Sequence, residues 1–267
     1  MIRDEIFDIR ISDNNCEVVY VNRIIDNIIS LSDLNKLKEY KFIVTDCLTE
    51  IDKNSEKIIV ILTGDEHYRN PNYLNRVHSV FKNYVYNEQD NLFAIPLGYN
   101  KYQLDIPHKP ISERKIDVFF SGQVKIFNRY DLMNTFSNPS TLQCYNNFIN
   151  RTNGFRQGLS PKDYSNTMMN SKIALCPDGN ISSETFRFFE AMRYGCVVVT
   201  TKKPKNYIYE NMPAIVIDNW ESSVEIIKDL LQDEDRMLNL SNKSLRYWND
   251  ICSEKSVAKF ILSKIKF

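Results

Sequence analysis

The feature that most constrains this chain is a set of short apolar runs, each ending in a polar or glycine-bearing turn. They are "KFIVTD" (41–46), "KIIVILTGDE" (57–66), "IDVFFSG" (116–122), "KIALCPDG" (172–179) and "CVVVTT" (196–201). Their hydrophobicity is continuous rather than alternating. Strands buried on both faces need that pattern, and such strands belong to parallel sheets covered by helices.

The segments between these runs carry helical signals. "SDLNKLKEY" (32–40) opens on a Ser/Asp cap, and "PNYLNRVHSVF" (71–81) opens on a proline suited to a first helical turn. "NRYDLMNTF" (128–136), "SPKDYSNTMMNS" (160–171) and "ESSVEIIKDLLQ" (221–232) have helical spacing, as does the tail to Phe267. "SETFRFFEAMRYG" (183–195) reads as a helix capped by Ser183 and stopped by Gly195. "CEVVYV" (16–21), "TLQCYNNF" (141–148) and "AIVIDN" (214–219) read as further strands, and "LFAIPLGYN" (92–100) closes the first half. Strand and helix alternate on both sides of "KYQLDIPHKPISERK" (101–115), whose prolines and mixed charge suit a linker.

This pattern predicts an α/β protein with right-handed crossovers, built as two Rossmann-like domains whose parallel sheets face across a cleft. The expected N-terminal domain is 1–108 and the C-terminal domain 109–267, the last helix being placed to pack back on the first domain. Ligands in such folds sit outside the carboxyl ends of the strands.

Composition removes several classes of function. Lys and Arg total 34 against 34 Asp and Glu, so nothing favours nucleic acid as a partner. The six cysteines are scattered without a C-x-x-C pair, and the three histidines lack i, i+4 spacing; reduced buried thiols are expected, and no metal. The N-terminus lacks the apolar core of a signal peptide, and no apolar run approaches the roughly 18 residues of a membrane span. A cytoplasmic protein is the expectation.

Three stretches could carry chemistry. The helix from 183 has Glu184, Thr185, Arg187 and Glu190 in its first turns, beside Phe186, Phe189 and Met192 for packing. A helix N-terminus at a strand's carboxyl end suits a phosphate, and a nearby carboxylate suits paired sugar hydroxyls. The bland alternative is dipole complementation by Glu184 and a helix-surface pair of Arg187 with Glu190. In "FFSGQVKIFNRYDLM" (119–133), Gly122 permits close backbone approach, and Lys125 and Arg129 can clamp a diphosphate; a solvated basic turn is the other reading. In "LTGDEHYRNPNY" (62–73), Asp65, Glu66 and His67 follow the strongest strand of the first half as candidate general bases, or as ordinary turn residues.

"KIALCPDGNISSETFRFFEAMRYGCVVVTT" resembles the donor-binding segment of GT-B glycosyltransferases, most nearly the exostosin-like group and related bacterial polysaccharide transferases. The residues that carry the resemblance are Ser171, Lys172, Cys176, Pro177, Gly179, Thr185, Arg187, Glu190, Ala191, Gly195, Cys196 and Val199. Gly122 with Arg129, Tyr164 ahead of the Ser-Lys strand, and the Ile-Pro-Leu-Gly of 95–98 match further segments of the pattern. Glu184 is similar to the Glu of a Thr-Glu-Lys element in α-fucosyltransferases, but Phe186 follows Thr185 where that family has Lys close by.

The resemblance implies sugar transfer from a nucleotide sugar, the only co-substrate, to a glycan or glycolipid acceptor, without a metal. The pathway it implies is bacterial surface polysaccharide or lipopolysaccharide synthesis, with peripheral contact at the inner face of the membrane. Lys125 and Arg129 then neutralise the leaving diphosphate, Arg187 holds phosphate or sugar, and Glu190 binds ribose. Gly122, Tyr164, Pro177, Glu184 and Thr185 complete the donor site. If the reaction inverts, the outcome favoured here, Asp65, Glu66 or His67 deprotonates the acceptor. A non-catalytic nucleotide-sugar-binding protein is the alternative, followed by a Rossmann oxidoreductase, against which the missing G-x-G-x-x-G counts.

Overall fold

The computed structural model describes residues 2–49, 51, 55–124, 127–143, 145–154 and 157–265. Lys125 and Cys144 lie outside them. The fold is α/β with two five-stranded sheets, and every pairing between neighbouring strands is parallel. The chain divides into two units. One comprises Met1–Lys101, Lys205–Glu210 and Asp250–Phe267, and the other Tyr102–Pro204 and Asn211–Asn249.

The first unit begins with a short helix α1 (Ile2–Ile6), strand β1 (Phe7–Ile9), helix α2 (Val18–Leu31) and a helical turn α3 (Leu34–Leu37). Strands β2 (Lys41–Thr45), β3 (Ser55–Leu62), β4 (Val77–Lys82) and β5 (Leu92–Ala94) follow, in spatial order β1-β2-β3-β4-β5. The centre of the sheet is sealed: Ile59, Val60, Ile61, Leu62, Val80 and Phe81 have no exposed surface.

Two expectations fail here. The segment 16–21 is not a strand but the start of α2, whose buried Val18, Tyr20, Val21, Ile24, Ile25 and Ile28 recur at helical spacing. A six-residue window rich in β-branched residues hides that period, and tertiary burial overrides strand propensity. The segment 71–81 is not a helix; a 3₁₀ turn at Leu74–Arg76 leads into β4. Pro71 suggested a helix start, but Val77 and Val80 belong to a strand lying between β3 and β5.

The second unit carries β6 (Ile116–Gln123), α4 (Phe127–Phe136), a helical turn α5 (Pro139–Leu142), β7 (Asn147–Thr152), α6 (Pro161–Met169) and β8 (Ser171–Leu175). Helix α7 (Phe186–Arg193) and β9 (Val197–Thr200) come next. The chain then supplies α8 (Tyr207–Glu210) to the first unit before β10 (Ala214–Val216), α9 (Ser223–Gln232) and α10 (Glu234–Tyr247). A π-helical turn at Trp248–Cys252 leads into α11 (Glu254–Lys264), a first-unit helix that packs along α2. The core places Val118, Phe120, Ile173, Leu175, Val197 and Val199 of the sheet against Leu132, Phe136, Trp220, Ile227 and Leu230.

Two more expectations are corrected in this unit. The strand read at 141–148 begins only at Asn147. Asn138 and Pro139 instead start α5, with the Asn138 side chain accepting from the Ser140 amide. As an edge strand only partly buried, β7 lacks the apolar run that marks its neighbours. Ser183 is not a helix cap: α7 starts at Phe186, and Thr185 sits at the N-cap position in extended conformation without a side-chain cap bond. Gly195 does stop the helix. Its φ of 68° is the left-handed conformation that glycine enters at least cost.

Candidate active site

The strand order β10-β9-β8-β6-β7 defines a position in the second unit. From β6 the chain moves to one side for β7 and returns to the other for β8. Such a switch point opens a crevice at the carboxyl ends of the two central strands, where loops diverge and ligands bind. The carboxyl end of β6 is Ser121–Gly122–Gln123, and that of β8 leads into Cys176, Pro177 and Asp178.

Two arginines meet these ends. Arg187, in the first turn of α7, donates from Nη2 to the Ser121 carbonyl at 2.8 Å, and its guanidinium lies 4.8 Å from the Phe120 ring centroid. Arg129, on α4, donates from Nε and Nη2 to the Asp178 carbonyl at 3.0 and 2.7 Å, and from Nη1 to the Gln123 carbonyl at 3.1 Å. Arg129 thereby ties the two diverging loops together. Gly122 makes room for Arg187: a Cβ there would lie 2.8 Å from Nη2. Both arginines are buried.

Behind Arg187, on the same face of α7, Glu190 is buried and accepts a hydrogen bond from the Tyr164 hydroxyl at 2.8 Å. Tyr164 comes from α6 and packs edge-on against Phe119 of β6. Burial, then the Glu190 charge, push the Tyr164 phenol well above its ordinary value, so it donates to the carboxylate at any working pH. Gln103 Nε2 donates to the Glu190 carbonyl at 3.3 Å. Cys176 is sealed beside these residues, and burial raises its thiol far enough to leave it unreactive.

The loop into α7 is tight. Glu184 is buried, and its amide donates to the Ser182 hydroxyl at 3.0 Å. Among the described residues six buried side-chain atoms have no hydrogen-bond partner, and two of them, Thr185 Oγ1 and Arg187 Nε, lie at this helix start. Buried polar atoms are usually satisfied, so two orphans within three residues make this helix start a candidate ligand position. The second unit thus brings Gly122, Arg129, Tyr164, Pro177, Glu184, Thr185, Arg187 and Glu190 to β6, β8 and the start of α7, whereas Lys125 lies outside the described residues. The packing assigned to Phe186 falls to Phe188, which is buried where Phe186 is only partly so.

Asp65, Glu66 and His67 follow β3 at the carboxyl end of the first unit's sheet. Asp65 is buried; Arg69 donates to it from its amide at 2.7 Å and from Nε at 2.9 Å, and the sealed Lys82 ammonium lies 3.4 Å away. Burial pushes its carboxyl up, but the Arg69 hydrogen bond and the Lys82 charge outweigh it and hold the group below the ordinary value. Glu66 is partly exposed and His67 exposed.

Sequence reasoning missed Glu17 and Lys82. Glu17, just before α2, accepts from Asn83 Nδ2 at 2.8 Å, and burial pushes its carboxyl up to about 8 against hydrogen bonds from Asn83 and Thr63. A lysine inside the apolar run "VHSVFK" was the readable signal for Lys82; Glu17 beside "VVYV" was a weaker one. Among the described residues no group of three or more His, Cys, Asp or Glu side chains could hold a metal ion, and no helix is long and apolar enough to cross a membrane.

The family model for the RXYLT1 C-terminal domain matches residues 108–261, more than half of the chain. The chain belongs to the RXYLT1 C-terminal domain family. No curated protein sequence matches it. Among solved structures, an alpha-glucosyltransferase in complex with UDP and DNA is 10% identical, with a TM-score of 0.53, over 85% of this chain and 80% of that one. An alpha1,3-fucosyltransferase with GDP is 13% identical, with a TM-score of 0.53, over 97% and 88%. S. aureus TarM is 14% identical, with a TM-score of 0.50, over 90% of this chain and 57% of its own. At these identities the likeness establishes the fold, which is GT-B for this family member.

Proposed function

We propose that this protein is a glycosyltransferase that moves a sugar from a nucleotide-sugar donor to a saccharide or glycolipid acceptor. The observation that carries the reading is the switch point of the second sheet, where Arg187 and Arg129 converge beside the unpartnered Thr185 Oγ1 and Arg187 Nε. A diphosphate placed at the start of α7 meets both the guanidinium charge and the positive end of the helix.

In this reading Arg187 contacts the diphosphate directly. Arg129 fixes the two loops that receive it, and Lys125 adds charge. Glu190, held by Tyr164, accepts from the ribose hydroxyls. Glu184, Thr185 and Pro177 border the donor, and Gly122 leaves room for Arg187. The acceptor oxygen bonds to the anomeric carbon, the sugar–phosphate bond breaks, and the nucleoside diphosphate leaves with its new charge met by the arginines. If the reaction inverts, the acceptor's proton passes to a base on the first unit. Glu66 fits that role best, followed by His67. Asp65 is committed to Arg69 and Lys82, and its lowered pKa makes it a weak base. The functional halves in this reading are 1–108 on the acceptor side and 109–267 on the donor side, with the segments 205–210 and 250–267 joining the first unit. The pathway is surface polysaccharide or lipopolysaccharide synthesis at the cytoplasmic face of the membrane.

A thermal-shift screen of UDP-, GDP-, CMP- and dTDP-sugars on wild type and Glu190→Ala tests this, together with an assay for release of free nucleotide. One nucleotide class should stabilise wild type more than the variant. If none does, the ribose assignment to Glu190 is wrong, and if no nucleotide is released, the catalytic reading is wrong.

A further inference from the structure

Among the described residues, two that are not glycine have left-handed backbone: Tyr68, with φ of 57°, and Tyr84, with φ of 54°. Tyr68 follows β3 and Tyr84 follows the neighbouring β4, so both stand at the carboxyl end of the first sheet. A bulky side chain in this conformation costs roughly 1–2 kcal/mol, and glycine or asparagine closes such a turn for less. What each position gains from tyrosine is therefore the ring. Strain of this kind collects at binding sites.

One buried ion pair fixes both turns. Lys82 Nζ donates to the carbonyls of Asn83 and Tyr84 at 3.0 and 2.9 Å and reaches Asp65 at 3.4 Å. Asp65 in turn accepts from the Arg69 amide with its carboxylate, and its carbonyl accepts from the Tyr68 amide at 3.4 Å. The rings this holds are ordered against each other. Tyr68 stands perpendicular to Tyr84 and to Tyr86, with centroids 6.2 Å apart in each case. Tyr84 is buried and supports the group, while Tyr86 is 53% exposed. The Arg69 side chain, 62% exposed, stands at the rim next to Tyr68.

We propose that Tyr86 forms a stacking platform for a pyranose ring of the acceptor, with Tyr68 held perpendicular to it as its support, Arg69 donating to the sugar hydroxyls and the Lys82–Asp65 pair as the positioning element beneath. A pyranose offers an apolar C–H face ringed by hydroxyls. That matches an exposed tyrosine face bordered by a guanidinium. The proposal rests on the glycosyltransferase reading for its substrate class, and it makes Asp65 a positioning residue.

The test is saturation-transfer NMR with methyl β-D-glucoside, methyl β-D-galactoside, N-acetylglucosamine and lactose. The proteins are wild type, Tyr86→Ala, Tyr86→Phe and Tyr68→Gly. Wild type should saturate the ring C–H protons of at least one sugar. Tyr86→Ala, a surface change that leaves the fold intact, should weaken that signal roughly fivefold, as expected for losing one aromatic contact. Tyr86→Phe should keep it. Tyr68→Gly, which relieves the strained backbone, should fold and lose the signal. The platform is overturned if wild type saturates none of the four sugars, if Tyr86→Ala matches wild type, or if a free nucleotide rather than a sugar shows the dependence on Tyr86. Nucleotide thermal shifts read the donor site separately. A shift without sugar saturation sinks the platform alone, and saturation without a shift sinks the donor reading alone.

Discussion

The Tyr164 hydroxyl donates to Glu190 Oε2 at 2.8 Å, with Glu190 buried and Tyr164 partly so. The bond links α6 to α7 and fixes the carboxylate assigned to ribose. Tyr164→Phe removes one donor from a buried acceptor and keeps the ring on Phe119. The expected cost is about 1–3 kcal/mol in stability, with a several-fold loss in nucleotide affinity. Urea denaturation measures the first and nucleotide titration the second. An affinity that is unchanged despite the lost stability makes this bond purely structural.

Gly122 permits the approach of Arg187, and its replacement separates packing from binding. In Gly122→Ala the new Cβ lies 2.8 Å from Nη2, so the guanidinium must move off the Ser121 carbonyl and the Phe120 ring. The overpacking costs about 1–3 kcal/mol. The nucleotide-induced thermal shift should largely disappear while the circular dichroism spectrum stays unchanged. A full shift in the variant means that Arg187 does not hold the donor.

How far the sequence discloses this arrangement depends on where each residue lies. The strands β3, β6, β8 and β9 are legible because burial on both faces leaves uninterrupted apolar runs. The edge strand β7 is not, since Asn147 and Asn150 stand where a central strand carries Val or Ile. The start of α2 reads as a strand because its helical period emerges only on reaching Ile24, Ile25 and Ile28. Arg187 and Glu190 are visible as charges on a packing helix. Glu17 and Asn83, 66 residues apart, are joined only by the parallel sheet, and no local pattern announces the pair. The tyrosines are equally silent, because left-handed backbone is expected of glycine or asparagine and not of an aromatic residue.

Asp65 and Glu66 are adjacent, yet they should respond in opposite ways. Asp65→Asn leaves the sealed Lys82 ammonium without its carboxylate, which typically costs about 3–5 kcal/mol. Glu66 is partly exposed, so Glu66→Gln should stay within about 0.5 kcal/mol of wild type. If Glu66 is the base, Glu66→Gln abolishes transfer while nucleotide binding persists. Full transfer by that variant rules the residue out.

Glu17 gives the chain a pH signature that needs no substrate. Burial holds its carboxyl at about 8 in the folded protein, against 4.5 for an unperturbed glutamate. Between those values the folded chain keeps a proton that the unfolded chain has released. The group's contribution is therefore full below pH 4.5, declines by about 1.4 kcal/mol per pH unit as pH rises, and levels off above 8. The decline sums to about 5 kcal/mol. Glu17→Gln keeps the shape and a hydrogen-bonding amide but carries no titrating proton. Urea denaturation of both proteins from pH 5 to 9 should show the variant gaining on wild type steadily up to pH 8 and no further. Parallel curves mean that Glu17 is ionised in the fold at neutral pH, with Lys82 rather than a proton compensating its charge.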